Sequence, residues 1–497
     1  MVDLIKARFD CVLFDLGNTL IRQENPGTPY ESLVVELLPG VEQLLNELKE
    51  NVKIGIVSNT QTITATEIKK KLATVGIEHY FDVVVATAEI GVHKPDPAPI
   101  TAAIKALALK PERTLYIGDI ETDLQAARSA GAAFAYTGPN IYKSVHQYLL
   151  HSESALDRAI HTQPTFSQSH ADAVKKDFDG LAKPVGSLGK LETVAAQIAG
   201  ITHSHAPVVD PAAVAVFGAD HAIAADETVT PWPQAITGMM LEAMGENKAA
   251  VSVLAEVGDV YCQYINVGTL NDSASRAVRN ERVTNGARDI RNGDAMKHQE
   301  VIAAMNIGAQ TAERLIAGGS RSLSTGEVGI GNTTPSAALI AHFALVGAQE
   351  VTGRGSGIDD ATYVRKVEIV AQLITKTKNQ EDPFTVLAQI GGLEIAALTG
   401  YILRATSLQI PVVLDGVITL TAAIVAHAIK PDTTKFLIAG HCSSEPGSAI
   451  ALKHLGLTPL LNLDLRLGEG TGALLSIPVI RSACQVISKM ARISDLE

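Results

Sequence analysis

Five polar residues in the first quarter of the chain have the chemistry that phosphoryl transfer requires. They are Asp15 in FDLGNTL, Ser58 in VSNT, Lys94 in HKPDPAP, and Asp119 and Asp123 in GDIETD. A carboxylate can act as nucleophile, a hydroxyl and an ammonium can hold phosphate oxygens, and further carboxylates can bind a magnesium ion. The set therefore predicts a phosphoryl-transfer site in this part of the chain.

Glycine-rich strings in the second half of the chain are suited to anion binding. GNTT contains Gly331, Asn332 and Thr333, and GRGSG contains Gly355 and Ser356. Backbone amides in such turns, especially at helix N-termini, bind phosphate without net positive charge. They reconcile an anionic substrate with a formal net charge of -12.

The five polar residues are positioned by short apolar runs that alternate with amphipathic stretches between residues 9 and 137. The predicted strands are Cys11–Phe14, Ile54–Val57, Val83–Val85 and Leu115–Ile117; the predicted helices lie near Val41–Lys49, Ala65–Thr74, Pro97–Leu107 and Asp123–Ser129. Strands and helices that alternate at this spacing indicate a doubly wound parallel sheet. The polar residues should then meet at the carboxyl ends of its strands.

Chain length predicts more than one domain. A single hydrophobic core stops growing at roughly 250 to 300 residues, and this chain has 497. The stretch from residue 142 to residue 177 is polar and dotted with histidines, which is typical of a junction. We therefore predict two α/β domains, residues 1–150 and residues 151–497, with a long alanine-rich helix at Gly391–Ala405 in the second.

Composition and charge argue against several classes of protein. With 53 acidic and 41 basic residues and no basic stripe, nucleic-acid binding is not expected. The apolar stretch at 410–429 carries Asp415, so we predict no membrane span. The first residues lack the layout of a signal peptide, which predicts a cytoplasmic protein. The four cysteines form no CxxC pair, so neither a disulfide framework nor a zinc site is expected.

The ordered N-terminal set resembles the haloacid dehalogenase superfamily. The resemblance implies that Asp15 is the nucleophile, that Ser58 and Lys94 bind the transferring phosphoryl group, and that Asp119 binds magnesium with Asp123 in support. Phosphatases of this family usually carry a second aspartate two positions after the nucleophile, which serves as general acid and base. Here Gly17 keeps the backbone carbonyl that binds magnesium but lacks the proton donor, a group worth about 10²- to 10⁴-fold in rate.

Two interpretations of this first domain remain open. It is either a magnesium-dependent phosphatase with a minimal cap, because the stretch from Leu20 to Lys53 is too short for a large helical cap, or a non-catalytic assembly module. The missing acid at Gly17 favours the second interpretation.

Eight strings in the rest of the chain, from about residue 155, resemble nicotinate-nucleotide:dimethylbenzimidazole phosphoribosyltransferases. They are KPVGSLGKLE (183–192), FGADHAIA (217–224), PWPQAIT (231–237), GEVGIGNTT (326–334), GRGSGIDD (353–360), QIGGLEIAALTG (389–400), LDGVIT (414–419) and RLGEGTGA (466–473). The resemblance implies a Rossmann-like α/β domain that needs no cofactor and pairs as a homodimer. It would transfer phosphoribosyl from nicotinate mononucleotide to 5,6-dimethylbenzimidazole or a related base in cobamide lower-ligand synthesis.

The same resemblance assigns roles to four residues. Glu469, which lies between two glycines, is the general base for the acceptor's proton and should have a pKa raised by burial. The other assignments are Lys366 to the phosphate, Glu327 to a polar contact in the pocket and Gln234 to the acceptor region. Two structural alternatives remain: Glu469 satisfies backbone donors at a helix N-terminus, or Lys366 lies on a solvent-facing helix.

Further alternatives concern a possible catalytic pair, the acceptor and the first domain's substrate. Asp220 and His221 resemble a catalytic pair, but no serine or cysteine motif accompanies them, so we predict a structural or pocket-lining role. The acceptor stays open between a benzimidazole, adenine and a phenol. The implied product, α-ribazole 5′-phosphate, still carries a phosphate, and adjacency alone suggests that the N-terminal domain removes it.

Overall fold

The protein is described by a computed structural model that covers residue 5 and residues 9–22, 35–151, 154–226, 229–355 and 357–496. It divides into two compact units, residues 1–154 and residues 155–497. The stretch that we predicted to be a junction is mostly helical, because three helices lie between residues 141 and 179.

The N-terminal unit is built on one parallel sheet with helices between its strands. The strands are β1 Cys11–Phe14, β2 Lys53–Ser58, β3 Val83–Ala86, β4 Thr114–Gly118 and β5 Ala133–Tyr136. The helices are α1 Val41–Leu48, α2 Ala65–Ala73, α3 Thr87–Ile90, α4 Ala98–Ala106, α5 Glu121–Ser129 and α6 Ile141–His151. The sheet order is β3-β2-β1-β4-β5, and every pair is parallel, which confirms the predicted doubly wound sheet.

Both faces of this sheet are buried. Val12 and Phe14 of β1 belong to one apolar cluster, and Cys11 and Leu13 belong to another. Successive side chains of a strand point to opposite faces, so the clusters lie on the two faces, which α1 and α4 cover respectively. A sheet that is covered on both faces leaves its strand ends open, and there polar side chains can meet a ligand.

The eight elements predicted for this unit are confirmed, with ends that differ by no more than two residues. Strand β5 was missed. Its sequence, AFAY, contains two alanines, which are depleted in strands, so the pattern gave little β signal.

The C-terminal unit contains a six-stranded parallel sheet with helices on both sides. Its strands are β6 Ala212–Ala219, β7 Val260–Gly268, β8 Val278–Asn280, β9 Ser322–Val328, β10 Val412–Leu414 and β11 Leu437–Ala439. The order is β11-β10-β9-β6-β7-β8. The helices are α7 Ala155–His161, α8 Gln168–Asp179, α9 Lys190–Thr202, α10 Ile236–Gly245, α11 Ala250–Gly258, α12 His298–Ala317, α13 Thr333–Ala344, α14 Ala348–Val351, α15 Asp360–Thr377, α16 Pro383–Ile390, α17 Leu393–Ser407, α18 Val417–Ile429, α19 Pro446–Leu455 and α20 Thr471–Lys489.

Helix α17 lies at the centre of this unit and is buried along its whole length. It confirms the helix predicted at Gly391–Ala405, although it begins two residues later. It packs on α12 backbone to backbone: a Cβ added to Gly308 would lie 1.7 Å from the carbonyl oxygen of Ala397, and one added to Gly400 would lie 1.9 Å from that of Met305. Only glycine at both positions allows this approach, which fixes the two helices behind the sheet.

Helix α20 is the one described helix that is long and apolar enough to cross a membrane. Length and composition alone are weak evidence of a span. Half of its apolar window is buried, and Leu474, Ile477 and Ile480 belong to an apolar core cluster of the C-terminal unit. In this structure α20 is a packed core helix, and its N-terminus faces the site described below.

Candidate active sites

The N-terminal unit gathers its predicted polar residues at the carboxyl ends of its strands. Asp15 directly follows β1, Ser58 is the last residue of β2, and Asp119 directly follows β4. Asp15 and Ser58 are buried, and all three line one cavity of about 280 Å³ together with Lys94 and Gly17. The structure therefore brings together residues that are up to 104 positions apart, from Asp15 to Asp119.

Lys94 is buried and contacts three other side chains of this site. Its Nζ lies 2.6 Å from Asp15 Oδ1, 2.6 Å from Asp123 Oδ1 and 2.8 Å from the hydroxyl of Tyr116. The Tyr116 hydroxyl donates in turn to the carbonyl of Val57. Sequence reasoning missed Tyr116, because a tyrosine in the apolar run of β4 has the same pattern as a core residue.

Three carboxylates of this site fit a divalent cation. Oxygens of Asp15, Asp119 and Asp123 all lie within 4.8 Å of one another. Asp123 Oδ2 is buried and has no hydrogen-bond partner within the described part of the chain. Burial raises the pKa of Asp15 to about 6, against the opposing effect of Lys94, and burial together with Asp123 raises the pKa of Asp119. An oxygen-rich set with an unsatisfied buried oxygen is suited to Mg²⁺.

The cavity beside these carboxylates has an apolar half. Its described lining includes Ile21, Val35, Ile63, Ile68 and Leu72. Asp15 and Asp119 are the carboxylates of that lining among the described residues, and Gly17 adds no side chain between them. The described lining thus contains the carboxylates predicted to act as nucleophile and cation ligand, but no further carboxyl group to donate a proton.

The C-terminal unit gathers a second set of ionisable residues at the carboxyl edge of its own sheet. Asp220 directly follows β6, Glu327 is the penultimate residue of β9, and Asp415 directly follows β10. His441 lies two residues beyond β11, where its ring fills the space beside Gly472, because a Cβ there would lie 1.9 Å from His441 Nδ1. All four are buried.

Glu469 sits in a tight turn on this edge. Its φ is 64°, and those of Gly468 and Gly470 are 85° and 96°, so three consecutive residues adopt the left-handed conformation. The turn is held by Asp415, whose carboxylate accepts the backbone N–H groups of Gly470, Gly472 and Ala473. Asp415 therefore caps helix α20, and Glu469 does not.

The Glu469 carboxylate is buried, and one of its oxygens is unsatisfied. Glu469 is 5% exposed. Its Oε2 has no hydrogen-bond partner within the described ranges. Burial raises the pKa of Glu469; the backbone N–H of Val251, at the start of α11, opposes the shift, and Asp415 adds to it. The predicted contact with a helix N-terminus thus exists, but with α11, and Oε2 remains available to a ligand.

Glu327 lies near Glu469, and Glu394 lies near Glu327. Glu327 Oε2 accepts a hydrogen bond from Asn332 Nδ2 at 2.6 Å, and burial, reinforced by Glu394, raises the pKa of Glu327 to about 8. Glu394, which begins α17 with Leu393, pairs at 2.7 Å with Nε2 of His221. Burial opposes protonation of His221, but the Glu394 carboxylate raises its pKa overall. His221 is engaged by Glu394, as expected of a structural or pocket-lining residue.

The predicted phosphate-binding residues converge beside helix α13. Lys366 is 3% exposed, and its Nζ donates to Thr333 Oγ1 at 2.8 Å and to the carbonyl of Gly353 at 3.0 Å. The alternative of a solvent-facing Lys366 is therefore wrong. Burial lowers the pKa of Lys366 to about 8, and Glu445 opposes this shift.

The glycine-rich turns surround this lysine. A Cβ added to Gly355 would lie 3.3 Å from Thr333 Oγ1 and 3.7 Å from Lys366 Nζ. Gly331, with φ of 92°, turns the chain into α13, which Asn332 and Thr333 begin. Ser356 lies outside the described residues.

Gln234 lies apart from these contacts. It is half-buried and precedes α10. The adjacent Ala235 lines a cavity of about 310 Å³ with Asp220 and Met239. The structure therefore places Gln234 next to a pocket on the same edge of the sheet, without a described contact to Glu469.

Comparison with known proteins identifies the C-terminal unit. A family model described as phosphoribosyltransferase matches residues 164–496, more than half of the chain. Nicotinate-nucleotide–dimethylbenzimidazole phosphoribosyltransferase from Salinispora tropica is 44% identical over 329 residues, 63% of this chain and 90% of that protein. The enzyme of the same name from Halalkalibacterium halodurans is 40% identical over 64% of this chain and 89% of its own length. The chain belongs to the nicotinate-nucleotide–dimethylbenzimidazole phosphoribosyltransferase family.

A solved structure and a second family model complete the comparison. The crystal structure of the family's enzyme from Thermus thermophilus is 33% identical, with a TM-score of 0.63, and covers 66% of this chain and 98% of the other. A model described as haloacid dehalogenase-like hydrolase matches residues 29–137. This phosphoribosyltransferase therefore carries a haloacid dehalogenase-like domain at its N-terminal side, and both resemblances stated from the sequence are confirmed.

In this phosphoribosyltransferase domain, the residues predicted to bind phosphate and the predicted base lie on one edge of one sheet. The Lys366–Thr333 pair and the Gly355 turn offer donors to a phosphate. Glu469 offers a buried carboxylate oxygen. The turn of Glu469 also packs closely against β9, because a Cβ added to Gly326 would lie 2.6 Å from the Glu469 carbonyl oxygen.

Proposed function

We propose that residues 155–497 transfer the phosphoribosyl group of nicotinate mononucleotide to 5,6-dimethylbenzimidazole or a related base. The products are α-ribazole 5′-phosphate and nicotinate, and the reaction serves cobamide lower-ligand synthesis. Family membership supports the reaction class. The observation that carries the proposal is the turn of Glu469, which presents a buried carboxylate oxygen without a protein partner among the described residues, on the edge that also carries the phosphate turns.

Glu469 is the general base in this proposal. One ring nitrogen of the acceptor attacks the anomeric carbon, and the other ring nitrogen gives its proton to the Glu469 carboxylate. The bond from the anomeric carbon to nicotinate breaks, and nicotinate leaves with the bonding pair. Burial supports this role because it raises the pKa of Glu469, which makes the carboxylate a stronger base near neutral pH.

Lys366, Thr333 and Gly355 hold the 5′-phosphate. An ammonium and a helix N-terminus both favour an anion, and α13 begins at Thr333. Glu327 and Asn332, which are joined by a hydrogen bond, offer polar contacts to the nucleotide, and Gln234 contributes to the acceptor side.

Product analysis tests the reaction and the acceptor together. The full chain is supplied with nicotinate mononucleotide and, in parallel, 5,6-dimethylbenzimidazole, adenine or a phenol. We expect α-ribazole 5′-phosphate with 5,6-dimethylbenzimidazole and a higher kcat/KM than with the other acceptors. Transfer to adenine or the phenol with a higher kcat/KM replaces the acceptor but keeps the reaction, and transfer to none of the three refutes it.

We propose that the N-terminal domain is a phosphatase for α-ribazole 5′-phosphate. Asp15 attacks phosphorus, the 5′-oxygen of the ribose leaves, and water then hydrolyses the aspartyl phosphate. Ser58 and Lys94 hold the phosphoryl oxygens. Asp15, Asp119 and Asp123, with the carbonyl of Gly17, would bind a magnesium ion that neutralises phosphate charge.

The cavity supports an aromatic substrate for this domain. Its apolar half, at Ile21, Ile63 and Leu72, lies beside the nucleophile and would accept a flat heterocycle. Because Gly17 offers no acid, the leaving oxygen takes its proton from solvent, and turnover should fall about 10²- to 10⁴-fold below that of a phosphatase with a positioned acid.

The phosphatase proposal is tested with magnesium and α-ribazole 5′-phosphate. We expect the parent chain and a control, Glu112→Gln, in which an exposed carboxylate is neutralised, to release phosphate, and Asp15→Asn to release none. Equal release by the parent and Asp15→Asn contradicts the proposal.

The alternative of a non-catalytic assembly module is favoured by the missing acid at Gly17. Deletion of residues 1–150 discriminates between the two. Loss of a module changes the oligomer size, measured by light scattering, without removing a chemical step, whereas loss of a phosphatase leaves α-ribazole 5′-phosphate undephosphorylated.

A further inference from the structure

The turn proposed to bind the nucleotide phosphate already holds a carboxylate. The backbone N–H of Gly355 donates to Glu445 Oε1 at 2.9 Å. Glu445 Oε2 lies against Gly353, because a Cβ added there would be 1.8 Å from it. Glu445 comes from a different part of the fold, the loop between β11 and α19, where it is the residue before Pro446. The Glu445 carboxylate therefore occupies this turn.

The same carboxylate acts on Lys366. Burial lowers the pKa of Lys366 to about 8, and the charge of Glu445 opposes this shift. Lys366 itself donates to Thr333 Oγ1 and to the carbonyl of Gly353. Glu445 thus accepts from one donor of the proposed phosphate site, the Gly355 amide, and its charge raises the pKa of the other, the Lys366 ammonium.

We propose that Glu445 is an internal competitor of the nucleotide, which occupies the phosphate turn of the free enzyme and leaves it when the 5′-phosphate binds. The proposal rests on the proposed function, because it takes Lys366, Thr333 and Gly355 as the phosphate site. One N–H cannot donate fully to two anions, and two like charges side by side repel each other. Glu445 is half-buried, so its side chain has a solvent-facing side towards which it can move.

The consequence is a lowered affinity for the nucleotide. If the free enzyme holds Glu445 in the turn for nine-tenths of the time, the apparent affinity falls roughly tenfold, in proportion to the open fraction. A glutamine in its place can still accept the Gly355 N–H, but it carries no charge and is a weaker competitor. The phosphate turn then opens more readily, and its shape is kept.

The test compares Glu445→Gln with Glu381→Gln, in which an exposed carboxylate is neutralised and the net charge changes equally. We expect Glu445→Gln to lower the KM for nicotinate mononucleotide roughly tenfold and to lower the inhibition constant of inorganic phosphate by the same factor. The KM for the acceptor should not change, and Glu381→Gln should match the parent. An unchanged or raised KM for the nucleotide in a folded Glu445→Gln, judged by its thermal unfolding, overturns the proposal.

A second pair of variants separates this proposal from the phosphate site itself. Lys366→Met should raise the KM for nicotinate mononucleotide, whereas Arg365→Met, which removes an exposed neighbouring charge, should not. If Lys366→Met has no effect, the phosphate site is misplaced and the role of Glu445 is refuted with it. If Lys366→Met raises the KM but Glu445→Gln does not lower it, the site stands and only the role of Glu445 fails.

Discussion

Replacement of Glu469 by glutamine removes the proposed base and keeps almost the same shape. The residue is 5% exposed, and its Oε2 has no hydrogen-bond partner among the described residues. The amide oxygen of the variant can still accept the N–H of Val251, with the amide nitrogen in the position of Oε2. We therefore expect Glu469→Gln to fold and to bind nicotinate mononucleotide with nearly unchanged affinity.

Activity and stability should change in opposite directions. A positioned base is worth about 10²- to 10⁴-fold in rate, or about 2.7 to 5.4 kcal/mol of barrier. Burial raises the pKa of Glu469 from its ordinary value of 4.5, so the folded protein holds this proton more tightly than the unfolded chain. The parent therefore loses stability as the pH rises from 4.5 through the raised pKa. The Glu469→Gln variant does not lose stability in this way, because glutamine does not titrate.

Two measurements check this prediction. Nicotinate release at saturating nucleotide and acceptor should give a kcat reduced about 10²- to 10⁴-fold, with Glu381→Gln as the control of equal charge change. The unfolding temperature of Glu469→Gln should exceed that of the parent by a margin that grows as the pH rises from 4.5 through the raised pKa of Glu469. If kcat falls by no more than a factor of about ten, which is less than the loss of a positioned base predicts, Glu469 is not the base. If the difference in unfolding temperature shrinks as the pH rises, the argument from burial is refuted.

Three further predictions concern the same unit. The pKa of Lys366 is about 8, so the KM for nicotinate mononucleotide should rise above pH 8 in steady-state assays, and Lys366→Arg should shift this rise to higher pH. Asp415→Ala removes the acceptor of three backbone N–H groups. At about 1 kcal/mol for each hydrogen bond, the free energy of unfolding measured by calorimetry should fall by about 3 kcal/mol. The kcat should also fall, because the turn loosens. Gly308→Ala places a Cβ 1.7 Å from a carbonyl oxygen of α17 and should destabilise by about 1 to 3 kcal/mol or more in denaturant unfolding, whereas Gly238→Ala, in α10 with open space around it, should not.

The N-terminal site was predictable because its residues stand at the ends of apolar runs. A strand such as β1 is recognisable from four consecutive apolar residues, CVLF, and the residue after it must lie on the carboxyl edge. The order of the strands within a sheet was harder to predict from the sequence. Strand β6 pairs with both β7 and β9, and no local pattern states that β9, about 100 residues later, is a neighbour.

The residues that sequence reasoning missed act through distant partners. Asp415 follows an apolar run and was considered only as a charge that argues against a membrane span, yet its carboxylate holds the N-terminus of α20. Glu394 contacts His221, which is 173 residues away. Glu445 contacts Gly355, which is 90 residues away. Such pairings depend on tertiary structure, so spacing along the chain could not predict them. The roles of the site residues, the homodimer, the bound magnesium and the cytoplasmic location stay predictions.

The attachment of the Glu469 turn to Asp415 restricts how this enzyme can be redesigned. The turn is held by the carboxylate of Asp415, which directly follows β10 and lies more than fifty positions earlier in the chain. A graft of residues 466–473 from a relative with another acceptor preference would thus transfer the base without its anchor, unless Asp415 and its strand are kept. Exchange of both segments together is the smaller structural disturbance, although it changes more residues.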